Sequence, residues 1–346
     1  MKHSIARALL TAITIALIAT ACSSSPSNKE VVLLTHDSFA LSQERLDLFS
    51  EQTGITLTIQ TAGDAGTMVN QAILTKDNPI ADVMYGIDNT FLSRALDNDL
   101  FVAYRAADID SVNEVLHVRD DLATPIDFGD VCVNYDIAAF DELGIDPPSK
   151  LRQLIDPTYK DMLVVQDPAT SSPGLAFLLT TIAALPDGSS YDWKAFWTDL
   201  FANGVAVSPD WTDAYTGRFT LSGGDRPLVV SYASSPAAEV LFGELDAAPS
   251  ASLTNGCYRQ IEYAGVLKGT DNEAAAREVI DFLLDVRTQE DIPLNMFVYP
   301  VHNNAVLPDV FTEFTVLPDT PAIMDPQTVD ANRERWIQEW TEIARS

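Results

Sequence analysis

An α/β fold, built on a parallel sheet with helices on both faces, is predicted by three observations. Apolar runs of strand length alternate with stretches of helical spacing between residues 31 and 97, in the order β-α-β-α-β-α. The runs are apolar at successive positions, as in strands buried on both faces. The 346 residues suffice for about two domains, and 47% hydrophobic with 21% charged residues is the balance of a chain with a sizeable core.

Val31-Val32-Leu33-Leu34 forms the first strand. Leu41 to Gln52 follows with helical spacing (Leu46, Phe49), and Gly54 just beyond supplies the stop. Ile55 to Ile59 alternates as a strand, and Met68 to Leu74 is helical. Ala81 to Gly86 reads as strand then turn, and Asn89 is placed to cap a helix through Phe91, Leu92 and Leu96. Val131 to Tyr135 alternates as a strand, and Leu163 to Val165 is a short buried one. Pro173 to Leu185 is an apolar helix with proline in its first turn, where a missing N–H costs nothing. Asp192 to Phe201 carries Trp193, Phe196, Trp197 and Leu200 at helical spacing, and Leu228 to Tyr232 is a strand. Ala274 to Val286 is amphipathic, with Thr270, Asp271 and Asn272 available as caps, and Trp336 to Ile343 is a final helix.

Lys2 and Arg7 precede an apolar run, Ala8 to Thr20, that is too short to span a bilayer. It ends in Ala19-Thr20-Ala21-Cys22, followed by a serine-rich stretch to Asn28. This resembles a bacterial lipoprotein signal, with residues 1–21 as signal peptide, lipid on Cys22 and 22–28 as a flexible tether. Ala19 stands where leucine is usual, and an ordinary secretory signal is the alternative. The expected location is the outer face of the cytoplasmic membrane or the periplasm, held to a membrane only through Cys22. Export also bears on Cys132 and Cys257, the remaining pair, because disulfides persist in exported chains. A bridge between them is expected; two buried free thiols are the other reading.

Fifty acidic residues oppose 21 basic ones, a formal −29. Loss of Lys2 and Arg7 with the leader leaves 19 basic residues and −31. Such a chain repels phosphate backbones, so nucleic acid is not an expected partner. It attracts cations, although a solvated acidic surface carries the same charge. Three cysteines and four histidines leave little for a multi-metal or iron–sulfur protein. There is no Gly-x-Ser-x-Gly elbow, Walker loop or His-Glu-x-x-His, and His36, His117 and His302 are widely spaced. Neither an enzyme nor a resident metal or cofactor is expected.

Three sets of residues carry binding chemistry. Thr170-Ser171-Ser172 sits directly before the helix at Pro173, where backbone N–H groups, the helix dipole and hydroxyl donors favour an anion; plain capping by Ser172 is the alternative. Trp211, Tyr215, Tyr232 and Phe297 fall in or beside loops after strands, where ligands of α/β sheets bind, and aromatic faces there suit a flat or cationic ligand. Trp211 and Phe297 could equally be core residues. Asp37, Asp64 and Asp88 follow successive strands and would converge on one sheet edge, or each could cap a helix.

At these residues the chain resembles the thiamine-binding subunits of bacterial ABC importers. The matching segments are Thr35 to Phe39, Ala81 to Asn89, Gln166 to Leu175, Asp210 to Tyr215, Leu228 to Pro236, and Ile292 to Val301, in order through nearly the whole mature chain. The resemblance implies a type II periplasmic-binding-protein fold: two lobes, each a mixed sheet flanked by helices, with ligand in the cleft between. Relatives of that fold carry iron, spermidine or maltose. It implies that Trp211, Tyr215 and Tyr232 line a thiamine pocket, that Thr170, Ser171 and Ser172 meet its hydroxyethyl or phosphate end, and that Asp64 is the pocket acid. Phe297 stands where tryptophan is usual and His36 where tyrosine is usual, and a further tryptophan has no counterpart in Phe39 to Ser42. The absence of a Tyr-Tyr pair argues against ferric iron as cargo.

Lobe one is expected at 29–127 and 260–300, and lobe two at 128–259 and 301–346. The crossings near Asp127 to Asn134 and Cys257 to Glu262 would form the hinge. The expected function is capture of thiamine, with its phosphates as further cargo, and delivery to an ABC permease by a monomer. A polyamine or other small organic cation as ligand, or a lipid-anchored sensor, is the alternative.

Overall fold

The computed structural model describes residues 29–346. The segments expected as signal peptide (1–21) and tether (22–28), with Cys22, lie outside the described residues. The first lobe opens with β1 (Lys29–Thr35), α1 (Gln43–Thr53), β2 (Ile55–Thr61), α2 (Ala65–Leu74), β3 (Val83–Asp88), α3 (Leu92–Asp97) and the short β4 (Phe101–Val102). β5 (Thr124–Asp136) carries the chain across to α4 (Ile137–Leu143), β6 (Leu163–Gln166), α5 (Ser172–Ala184), α6 (Trp193–Ala202), β7 (Ala206–Ser208), β8 (Leu228–Tyr232) and α7 (Ser235–Gly243). β9 (Ser250–Leu267) returns it, and α8 (Glu273–Leu284), α9 (Val286–Met296), β10 (Tyr299–Pro300), α10 (Asp309–Phe314) and α11 (Pro326–Ala344) complete the chain.

The strands run β2-β1-β3-β9-β5-β8-β6-β7, with β10 beside β5 and β4 beside β9. β1 is parallel to β2 and β3, and β6 is parallel to β7 and β8. β9 is antiparallel to β3 and β5, so the sheet is mixed. The departure from a parallel sheet comes from β5 and β9, which are long enough to thread both lobes and, among the described residues, are the only strands joining them. The apolar runs do mark two-sided burial: Val31 and Leu33 pack toward α8, and Leu34 packs on the opposite face with α2.

Cys132 and Cys257 are bridged where β5 and β9 slip in register, between Val131 and Val133. Both cysteines are buried. Here four residues of β9, Thr254 to Cys257, face one of β5, and the bridge pins the irregular stretch on the pair of strands joining the lobes.

Two local details differ from the sequence expectation. Asn89 does not cap α3. Its amide donates to the Arg259 carbonyl at 3.2 Å and accepts from the Ile261 N–H at 3.1 Å, prolonging the β3–β9 ladder with a side chain. No side chain caps α3; Asp88 instead holds the turn before it, accepting from the N–H of Thr90 at 2.6 Å and of Phe91 at 3.2 Å. The C-terminal segment also touches both lobes: the Trp340 ring meets Trp197 of α6 edge-on at 5.5 Å, while buried Arg333 donates to the Thr90 carbonyl at 3.1 Å and Ser93 at 3.0 Å. His302 bridges to Val112. The division at residues 301–346 is therefore not a clean one.

Candidate functional site

A cavity of about 520 Å³ lies between the lobes, within the size range of small-ligand pockets. Lobe one contributes the segment after β1 (His36 to Ser38), the start of α2 (Asp64, Ala65), Gln260 and Glu262 of β9, and the end of α9 to Val298. Lobe two contributes Ser172 and Pro173, Trp211 to Thr216, and the segment from Tyr232 to Phe242.

Trp211 and Tyr215 form one stacked aromatic wall, centroids 4.8 Å apart and planes 14° from parallel. A π-helical turn, Asp213–Arg218, brings them together, since four residues of helix set their rings one above the other. The Trp211 indole N–H donates to the Ser231 hydroxyl at 3.0 Å, which fixes the ring. The Tyr215 hydroxyl donates to Glu239, whose other oxygen accepts from Ser250. Burial pushes the Glu239 carboxyl up, and those two hydroxyls pull it back.

The floor is a polar network on the crossing strands. The Tyr232 hydroxyl donates to Gln260 at 3.2 Å, and Gln260 donates to Glu262 at 2.9 Å. The other Glu262 oxygen lies 3.3 Å from His36 Nε2 and 3.1 Å from the Tyr85 hydroxyl, which also donates to Asp127. Burial opposes a charge on His36, but Glu262, with Asp64 and Asp127 behind it, outweighs that and lifts the imidazole to about 8. His36 is thus a cation at neutral pH. Its ring lies against Gly86, where φ is +88° and a Cβ would fall 2.2 Å from the imidazole Cδ2, so no side chain fits there.

Asp64 occupies the position before α2 and accepts from the Trp211 backbone N–H at 3.1 Å, across the cleft. Burial raises its carboxyl; Ser171, that N–H and His36 oppose the rise. Phe297 closes α9 in a left-handed conformation (φ 56°), with its ring 5.0 Å from the exposed Phe242. Of the sequence-predicted set, His36, Asp64, Ser172, Trp211, Tyr215, Tyr232 and Phe297 meet on this cavity. Three do not line it. Thr170 donates to the Pro209 carbonyl at 2.7 Å, and Ser171 is buried behind Asp64. Asp88 is fully buried; burial lifts its carboxyl to about 6 against the Ser172 and Thr90 hydroxyls.

Glu239, Phe242, Gln260 and Glu262 were missed from the sequence. Gln260 and Glu262 carry a usable signal: two polar residues at i and i+2 point to one face of the strand, just before its apolar, buried end Tyr263 to Leu267. Phe242 carries none, because a single aromatic on an apolar helix reads as core.

The thiamine-binding periplasmic protein of Salmonella typhimurium is 30% identical over 318 residues, covering 90% of this chain and 92% of that protein. The thiamine-binding periplasmic protein of Escherichia coli is 31% identical over 277 residues, 80% of each chain. A solved structure of a periplasmic thiamin binding protein superimposes with a TM-score of 0.80 at 28% identity, covering 91% of this chain and 96% of that one. Residues 78–316 match the family described as bacterial extracellular solute-binding protein. With more than half of its length in that match, and with two lobes enclosing one lined cavity, this chain belongs to the bacterial extracellular solute-binding proteins.

Proposed function

We propose that this protein captures thiamine outside the cytoplasmic membrane and delivers it to the permease of an ABC importer. One observation carries the reading: a single cavity between the lobes combines the stacked Trp211–Tyr215 wall with the carboxyls of Asp64, Glu239 and Glu262. Thiamine offers a permanently cationic thiazolium, a flat aminopyrimidine and a hydroxyethyl tail. Aromatic faces hold the rings by stacking and cation–π attraction, at about 0.5–2 kcal/mol per contact, and carboxyls balance the charge. The relatives named for thiamine agree with this chemistry. Closure of the cleft over the ligand is the signal the permease reads.

The finer reading has Cys22 as the lipid anchor, a monomer as the working unit, and thiamine as cargo rather than cofactor. It also has thiamine monophosphate as a second ligand, with Ser172 at the start of α5 and the cationic His36 receiving the phosphate. Calorimetric titration with thiamine, its monophosphate and spermidine tests this. Saturable binding of thiamine, with the monophosphate within about tenfold, supports it. Spermidine binding as tightly as thiamine would favour the polyamine reading instead.

A further inference from the structure

We propose that two of the cavity's lobe-one acids divide the work: Asp64 is a latch that ties the lobes together, and Glu262 is the counter-charge of the cationic ring. The inference rests on the thiamine reading and departs from the role that resemblance implies for Asp64.

Asp64 stands at the position that caps α2, with the extended backbone a capping residue adopts (φ −74°, ψ 165°), yet its side chain makes no bond to its own helix. A capping aspartate ordinarily accepts an N–H of the first turn. Here the carboxyl instead accepts the backbone N–H of Trp211, a residue 147 positions away in the other lobe. Two residues on, Gly66 is pressed against the segment that follows β6. A Cβ at Gly66 would lie 2.8 Å from the Thr170 carbonyl oxygen and 3.0 Å from that of Ala169. The start of α2 is therefore one seam of lobe–lobe contact, and the Asp64 hydrogen bond lies in it. What this bond asks of residue 64 is an acceptor, not a charge.

Glu262 is placed differently. It is buried on β9, one of the two strands shared by both lobes, and it lines the cavity floor. Gln260, Tyr85 and His36 fix both its oxygens, so its position does not depend on closure of the cleft. A thiazolium nitrogen has no N–H to donate, so it needs a nearby fixed charge rather than a vacant acceptor. Glu262, held by His36, Tyr85 and Gln260 on the cavity floor, supplies that.

The test uses two ligands, thiamine and its neutral isostere with thiophene in place of the thiazolium, titrated against wild type, Asp64→Ala, Asp64→Asn and Glu262→Gln. Asp64→Ala is expected to weaken both ligands alike, by about tenfold or more, while Asp64→Asn, which keeps an acceptor oxygen, recovers most of that loss. Glu262→Gln is expected to weaken thiamine by about tenfold and the isostere by less than about threefold. The selectivity for thiamine over the isostere is read within each variant, so partial loss of folded protein does not alter it. The proposal is overturned if Asp64→Asn is as damaged as Asp64→Ala for thiamine alone, or if Glu262→Gln leaves the selectivity unchanged. A wild-type protein that binds neither compound would refute the thiamine reading itself.

Discussion

Asp127 of β5 and Glu262 of β9 stand directly opposite each other in the strand register, two carboxyls joined through the hydroxyl of Tyr85. Burial and the neighbouring Glu262 push the Asp127 carboxyl well above its usual range. Tyr85→Phe removes the bridge and leaves two buried acids without it. Urea denaturation should show the variant less stable by about 1–3 kcal/mol. Coincident curves for variant and wild type would mean that the bridge contributes nothing.

The pH dependence of stability follows from His36 and Asp88. The groups facing His36 are Glu262, Asp64, Asp127 and Tyr85. Because the folded imidazole titrates near 8 rather than 6.5, its contribution is complete below about pH 6.5 and lost as pH rises through about 8. Asp88, lifted from 3.8 to about 6, also binds its proton more tightly in the fold, and stability falls as pH rises through that range. The melting temperature should therefore decline from about pH 5 to about pH 9, with His36 accounting for about 2 kcal/mol. In His36→Gln the part of the slope between about pH 6.5 and 8 should disappear; its persistence would assign the slope to other groups.

Reduction of the bridge between Cys132 and Cys257 removes a cross-link over 125 residues of sequence. The expected loss is about 2–4 kcal/mol. Mass measurement after alkylation without reductant should find no modified thiol at either position. Two alkylated cysteines in the unreduced exported protein would contradict this.

Ser172 begins α5 and is the hydroxyl of its set that reaches the cavity. Ser172→Asp places a second carboxyl beside Asp88 and at the helix start, where like charges oppose an incoming phosphate. Thiamine monophosphate should lose about tenfold more affinity than thiamine. Equal losses for the two ligands would show that Ser172 does not receive the phosphate.

Much of the fold could be read from periodicity. The strand at Leu228–Tyr232, the helix capped by Asp192 and the two-sided burial of β1 follow from apolar spacing and capping residues alone. β9 could not be read in this way. Its 18 residues mix Gly256, Arg259, Gln260 and Glu262 into the apolar pattern, because the same strand serves two lobes and the cavity floor. The aromatic residues of the site were visible because large rings beside strand ends are few. The carboxyl roles were not, since any aspartate before a helix reads as a cap. Only the cross-cleft bond from Trp211 separates Asp64 from Asp88, whose carboxyl holds the turn before α3.

The central claim is that thiamine lies against Trp211 in this cavity. Of the five tryptophans, Trp193, Trp197, Trp336 and Trp340 are buried away from it, and only Trp211 lines it. Trp211→Ala should weaken thiamine binding by about 1–3 kcal/mol in calorimetry. The most direct measurement is tryptophan fluorescence during titration with thiamine, in wild type and in Trp211→Phe. Saturable quenching in wild type that vanishes in the variant, while calorimetry still finds binding, is the result expected. Undiminished quenching in Trp211→Phe, or none in a wild type that binds thiamine, would contradict it.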